Sequence, residues 1–315
     1  MPLDPQVAAL LAELKAAPVP LSALPPAEAR AAYDRFIAPR NLPPEPVASV
    51  RDIKIAGPHG PVGLRIYTPE CTAAGDPRPV FLFFHGGGFV IGSVESREPQ
   101  CRRIANATGA IVVAARYRLA PEHKFPAAHD DAWAATQWLA AHAGEFGGDP
   151  ARIAVGGDSA GGNLAAWVCQ RARDAGLQPF VLQALVYPTT DFGFTLDLPS
   201  YTLRDEDYFL TRSQIAWYHE QFLPPGTDTR DPRLAPALAG DFSGLPPALI
   251  LTAEFDPLRD DGAHYAERLR AAGIAADYQC YPGTIHGFFH YGATLDAARA
   301  ALDRLIAALN RAYRP

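Results

Sequence analysis

The sequence predicts an α/β fold: a mostly parallel central sheet flanked by helices, with a helical cover over the carboxyl edge of its strands. Three observations carry that reading. Apolar runs of strand length alternate with helical stretches from residue 80 to residue 187. The alternation fails from 188 to about 230 and resumes at residue 248. Most telling is Arg152 to Val168, where the buried-strand run Ile153-Ala154-Val155 passes through Gly156, Gly157, Asp158, Ser159, Ala160, Gly161 and Gly162 into a helix from Asn163.

Composition narrows the class. At 315 residues the chain has room for one large α/β domain and an accessory piece. A net charge of -6 with mixed signs and no basic cluster argues against nucleic acid and anionic membranes as partners. No stretch approaches a transmembrane span, and Met1-Pro2-Leu3-Asp4 lacks the basic start and apolar core of a signal peptide. Cys71, Cys101, Cys169 and Cys280 are widely spaced, which fits reduced structural thiols in the cytoplasm.

Residues 1–45 form the accessory piece. Val7, Leu10, Leu11 and Leu14 give one helical stripe and Ala27 to Phe36 another, with joints at Pro18-Val19-Pro20 and Pro25-Pro26. Val50 to Ile55 and Val62 to Tyr67 resemble an antiparallel pair joined around Gly57-Pro58-His59-Gly60. Pro79 to Phe84 is continuously apolar, hence a central strand buried on both faces. After a helix around Pro99 to Ala107 comes the strand Ile111 to Ala115. A polar, proline-rich loop from Tyr117 to Pro126 follows, with Arg118, Glu122 and His123 expected to support it. The helix Ala127 to Ala141 should pack through Trp133, Trp138 and Leu139. Val181 to Tyr187 is another central strand. The segment 188–230 reads as an insertion rich in aromatics, with helical spacing from Ile215 to Phe222, that pairs with the N-terminal piece over the sheet. The strand Ala248 to Thr252, a helix from Pro257 to Ala272, the strand Ala276 to Tyr281 and a final helix from Ala293 to Ala312 complete the chain. On the last helix Leu295, Ala298, Leu302, Leu305, Ile306 and Leu309 face inward.

Gly157-Asp158-Ser159-Ala160-Gly161 is a G-x-S-x-G. A lone match of this kind arises by chance; its place between a buried strand and a helix gives it weight. Such a turn holds the serine in a strained conformation with its hydroxyl exposed, beside the positive end of a helix. His85-Gly86-Gly87-Gly88-Phe89 closes the strand Pro79 to Phe84, and three glycines there let backbone amides reach a developing oxyanion. His85 itself reads as a structural hydrogen-bonding residue. In an open α/β sheet the reacting groups gather at the carboxyl ends of strands. That rule selects Asp256, in the loop after one strand, and His286, in the loop after the next. His286 would take the serine proton, and Asp256 would fix its tautomer. Glu254 is the rival acid, with loop support as its other role. Asp260 and Asp261 read as answers to a helix dipole, and His264 and His290 as surface or packing residues. No Cys or His spacing suggests a metal.

Together His85-Gly86-Gly87-Gly88, Tyr117-Arg118-Leu119-Ala120-Pro121-Glu122, Gly157-Asp158-Ser159-Ala160-Gly161-Gly162, Asp256-Pro257-Leu258-Arg259-Asp260 and His286-Gly287-Phe288 resemble the hormone-sensitive-lipase-like esterases, above all their bacterial carboxylesterases. The resemblance spans almost the whole chain. It implies an α/β-hydrolase fold, with 1–45 and 188–230 as the helical cap and 46–187 and 231–315 as the catalytic domain. It implies an oxyanion hole from the amides of Gly87, Gly88 and Ala160, with Gly86 serving the turn. The activity implied is cofactor-free hydrolysis of small carboxylic esters by Ser159, Asp256 and His286. An amidase or lactonase with the same triad is the alternative, and a ligand receptor on this fold, like the plant gibberellin receptors, is disfavoured by the presence of His286. Phe89, Tyr187, Tyr208, Phe209, Leu210, Trp217, Ile285 and Phe288 are expected to wall the acyl slot, favouring short to medium chains. A homodimer is left open.

Overall fold

In the computed structural model, which describes residues 2–16, 21–70, 77–177, 179–202 and 208–314, two helices precede the sheet, α1 (Pro5–Lys15) and α2 (Pro26–Ile37). The Pro18-Val19-Pro20 joint and Cys71 lie outside the described residues. Gly57 faces Gly60 across the turn of a hairpin, β1 (Ser49–Gly57) and β2 (Gly60–Thr68). Strands and helices then alternate: β3 (Arg78–Phe84), α3 (Glu98–Thr108), β4 (Ile111–Arg116), α4 (Ala127–His142), β5 (Gly148–Asp158), α5 (Ala160–Asp174) and β6 (Phe180–Val186). The insertion supplies α6 (Arg212–Phe222). After it come β7 (Ala248–Phe255), α7 (Arg259–Ala271), β8 (Ala276–Ile285) and α8 (Asp296–Ala312).

The eight strands make one sheet in the order β1-β2-β4-β3-β5-β6-β7-β8. The pairs β1-β2 and β2-β4 are antiparallel, and every pair from β4 through β8 is parallel. The chain steps from β3 one way to β4, then back past β3 to β5 and onward. Right-handed crossovers therefore put α3 on one face and α4, α5 and α7 on the other. Accordingly, α3 packs with α8 and α4 with α5. The sheet order thus reverses between β3 and β5, so the loops leaving those strands diverge and open a crevice between them. Phe84 pairs with Gly157 across that boundary, bringing the glycine loop beside Ser159.

Three elements differ from the sequence reading. Helix α5 starts at Ala160 rather than Asn163. Glycine disfavours helix, yet both positions are helical and packing requires glycine at them: a Cβ on Gly161 would strike the Phe84 carbonyl, and one on Gly162 would lie 2.9 Å from Pro188. Strand β8 continues past Tyr281 to Ile285, which pairs with Phe255 beyond a register shift, while the Gly283 amide donates to the Glu254 carboxylate (2.8 Å) and its carbonyl accepts from the Asp4 amide (3.0 Å). On α4 the buried face is Ala128, Ala132, Ala135 and Leu139, with Trp133 and Trp138 only half-buried. The alanines bring the helix close to the sheet, and Trp138 stacks instead on His142 and Phe146.

The expected loop supports are also repartitioned. Arg118 pairs with Asp131 of α4 at 2.8 Å, while Glu122 receives Arg30 of α2 at 2.6 Å. Cys101, Cys169 and Cys280 are free, and burial raises all three thiols. No described helix is long and apolar enough to cross a membrane.

Candidate active site

Ser159 sits between β5 and α5 with φ 54° and ψ -117°. A side chain in this region costs about 1–3 kcal/mol, and the surroundings must hold it there. They do so through the backbone: the Ser159 amide donates to the Val186 carbonyl (2.8 Å), and its carbonyl accepts from Asn163 (3.0 Å). Neither Gly157 nor Gly161 has room for a Cβ, because each lies against the Phe84 carbonyl.

His286, immediately after β8, places Nε2 3.0 Å from Ser159 Oγ. Its Nδ1 lies 2.7 Å from Asp256 Oδ2. Asp256 follows β7, is fully buried, and accepts the Leu258 amide on its other oxygen at 2.8 Å. A carboxylate accepts only, so Nδ1 carries the proton and Nε2 presents its lone pair to the serine. Glu254 is taken up instead by the Gly283 amide of β8 (2.8 Å), which holds its carboxyl below the ordinary value.

The glycine loop bends through φ 122° at Gly87 and 59° at Gly88, both of which line one cavity with Ser159, Ala160 and His286. Ala160 opens α5, where a helix leaves its first amides without an intrahelical acceptor. Gly86 has a different part from the turn expected of it. Its amide donates to Asp158 Oδ1 at 3.0 Å, and a Cβ there would strike that carboxylate. Phe89 also has positive φ, 62°, and is fixed by stacking on Phe222 with ring centroids 4.1 Å apart. His85 is buried and stacks on Tyr117.

The cavity encloses about 800 Å³ including its open mouth. Of the eight residues expected to wall it, Phe89, Tyr187, Phe209 and Leu210 line it, whereas Tyr208, Trp217, Ile285 and Phe288 do not. Tyr208 packs on Phe255, Ile285 is buried in the sheet, and Phe288 lies behind Tyr187 and Tyr281. On α6 the cavity face is Gln214, Ile215, Tyr218 and His219, so Trp217 lies one residue out of phase. The stripe Ile215, Tyr218, His219, Phe222 carries that phase in the sequence. Phe192 and Phe194 of the insertion, Leu21 and Tyr33 of the N-terminal segment, and Ile91 and Leu258 also line it.

His290, read as a surface or packing residue, is buried at the cavity's base with Arg97 and Asp158. Burial favours raising the Asp158 carboxyl, but Arg97 and His290 together hold it well below the carboxylate range. Asp261 does more than answer a helix dipole. It is buried, accepts the Thr190 and Asp191 amides (2.8 and 3.1 Å) and the Tyr201 hydroxyl, and burial pushes its carboxyl up to about 7. Among the described residues no cluster of His, Cys, Asp and Glu is arranged to hold a metal ion.

Burial pushes four histidines down to about 4: His85, His129, His219 and His290. The unfolded chain takes up those protons first, so stability drains away as pH falls from about 6.5 to 4. Asp261 works the other way, its contribution being complete at low pH and lost as pH rises through about 7. His264 is lowered by burial as well, and Asp34 is raised by burial like Asp261. Five histidines against two carboxyls decide the sign, so urea unfolding at pH 4.5 should show a midpoint clearly below that at pH 7. An equal or higher midpoint at pH 4.5 would contradict it.

A family model described as the alpha/beta hydrolase fold matches residues 81–290. The carboxylesterase NlhH of Mycobacterium tuberculosis is 44% identical over 292 residues, covering 90% of this chain and 88% of its own length. The crystal structure of a serine-to-alanine mutant of LAE6, an alpha/beta hydrolase enzyme from the metagenome of Lake Arreo, superposes with a TM-score of 0.93 at 44% identity, covering 98% of both chains. A hyperthermophilic esterase from the archaeon Pyrobaculum calidifontis gives 0.92 at 39% identity, covering 99% of both.

Proposed function

The chain belongs to the α/β-hydrolase family and is a carboxylic ester hydrolase of the hormone-sensitive-lipase-like kind, and from that premise we propose that Ser159, His286 and Asp256 form its catalytic triad. One observation carries the assignment: the unbroken chain Ser159 Oγ to His286 Nε2 (3.0 Å) to Asp256 Oδ2 (2.7 Å), at an elbow facing the cavity.

Ser159 Oγ attacks the ester carbonyl carbon as its proton passes to His286 Nε2. The oxyanion is met by the amides of Gly87, Gly88 and Ala160, which gain strength in a water-poor cavity. The tetrahedral species collapses, breaking the bond to the alcohol, which leaves with the proton from His286. Water, deprotonated by the same imidazole, then hydrolyses the acyl-enzyme and frees Ser159. Residues 1–45 and 188–230 act as the cap, supported by Leu21 and Tyr33 on one side of the cavity and the α6 face on the other.

The substrate class is small esters of short to medium acyl chain. Each buried CH₂ contributes about 0.8 kcal/mol while space remains. Once methylenes must displace packed aromatics such as Phe89 and Phe192, the cost is about 1–3 kcal/mol. In an assay of p-nitrophenyl esters of graded length, kcat/KM should peak at roughly four to eight acyl carbons. A steady rise to sixteen carbons would defeat this reading, and an amide or lactone turned over faster than the matched ester would move the substrate class.

A further inference from the structure

We propose that Asp158 is a positioning residue for ester hydrolysis, its carboxylate holding the oxyanion loop and the face behind the catalytic histidine in register with Ser159. The inference rests on the serine mechanism above but concerns a side chain that mechanism does not use.

Asp158 is the residue before the nucleophile and is 1% exposed. Its two oxygens accept from three different parts of the fold. Oδ1 takes the Gly86 amide (3.0 Å) and Arg97 Nε (3.1 Å). Oδ2 takes Arg97 Nη2 (3.1 Å) and lies 2.9 Å from His290 Nε2. Gly86 opens the loop whose next two residues are Gly87 and Gly88, so this bond fixes where the oxyanion amides begin. The same His290 nitrogen faces the Tyr187 hydroxyl at 3.0 Å. Tyr187 has φ 34° and lays its ring 4.6 Å from that of His286.

Charge makes this arrangement directional. A carboxylate is an acceptor only, so Gly86, Arg97 and His290 must all turn their N–H groups toward it. Such charge-assisted bonds in a buried site are stronger than neutral ones. Arg97 passes the constraint outward, donating through the same Nη2 to the Tyr33 hydroxyl of α2 at 3.0 Å. Helix α2 also grips the loop directly, since Arg30 Nε donates to the Val90 carbonyl at 2.7 Å. One carboxylate therefore joins the oxyanion loop, the ring behind the general base and the N-terminal segment.

A merely structural ion pair would lower stability and leave turnover per folded molecule alone. A positioning role predicts a loss confined to the transition state. The test is Asp158→Asn, assayed with p-nitrophenyl butyrate and with a short-chain alkyl trifluoromethyl ketone, whose tetrahedral adduct on the serine draws on the oxyanion amides. The expected result is a fall in kcat of about 10²-fold, KM within about three-fold, and ketone affinity weakened in step with kcat. Arg97→Met combined with Asp158→Asn removes both charges, and Tyr33→Phe removes only a hydroxyl. These cover the case in which Asp158→Asn leaves Arg97 unpaired and does not fold, and each should lower kcat rather than raise KM. Folded variants with kcat and ketone affinity within three-fold of wild type would overturn the inference, whatever their melting temperature. A raised KM at unchanged kcat would also overturn it, making Asp158 part of the substrate wall. Ser159→Ala run alongside separates the readings: if it stays active, the serine mechanism fails, not this inference alone.

Discussion

Replacing Ser159 with alanine is expected to lower kcat/KM by about 10⁴-fold or more while leaving the fold intact, a loss of about 5 kcal/mol or more in transition-state stabilisation. The magnitude follows from the proposed roles. Without Oγ no acyl-enzyme forms, and His286 loses the group whose proton it takes. The retained fold follows from the backbone. Ser159 adopts φ 54°, a conformation in which the Cβ sets the strain, and alanine keeps that Cβ. The bonds to Val186 and Asn163 are main-chain bonds that the substitution leaves in place. Only the 3.0 Å bond from Oγ to His286 disappears. The decisive measurement is steady-state hydrolysis of p-nitrophenyl butyrate alongside a thermal melt. A variant that keeps a tenth of wild-type turnover would remove Ser159 from its role.

Asp256→Asn is expected to cost about 10³ to 10⁴-fold, with Glu254→Gln costing about ten-fold or less. The structure supplies a specific reason. Asp256 Oδ1 accepts the Leu258 amide at 2.8 Å, so an asparagine placed there must turn its carbonyl to Leu258 and its NH₂ toward His286. Nδ1 would then have to accept, the proton would move to Nε2, and the imidazole could no longer take one from Ser159. Geometry survives while the tautomer is wrong. Glu254 faces Gly283, and glutamine can still accept that amide. Measuring kcat/KM for both variants checks the ranking, and its reversal would transfer the acid's role to Glu254.

The parts of this protein that the sequence alone determined are those in which local pattern and local chemistry agree. The apolar run at Val80 to Phe84 fits only a strand covered on both faces, and β3 is buried in that way. A serine between a buried strand and a glycine-flanked helix start fits only a sharp elbow. The order of the strands then indicates which loops meet, because crossover handedness leaves few alternatives. Distances of 3.0 and 2.7 Å among Ser159, His286 and Asp256 lie in the loops so indicated.

Tertiary structure alone decided the rest. Trp217 and Tyr218 differ by a turn of 100° about α6, and although the stripe Ile215, Tyr218, His219, Phe222 carries one phase, packing decides that this phase meets the cavity. Gly161 and Gly162 discourage helix by propensity, yet both are helical, and Phe84 and Pro188 leave no space there for any larger residue. Pro282-Gly283 reads as a strand end, yet β8 continues to pair Ile285 with Phe255, and Gly283 finds partners in Glu254 and Asp4, 29 and 279 residues away in the chain. Arg97, Asp158 and His290 form one buried cluster from three separate segments that share no spacing. Long-range packing and hydrogen bonding assign these positions, and the buried cluster leaves no period in the sequence.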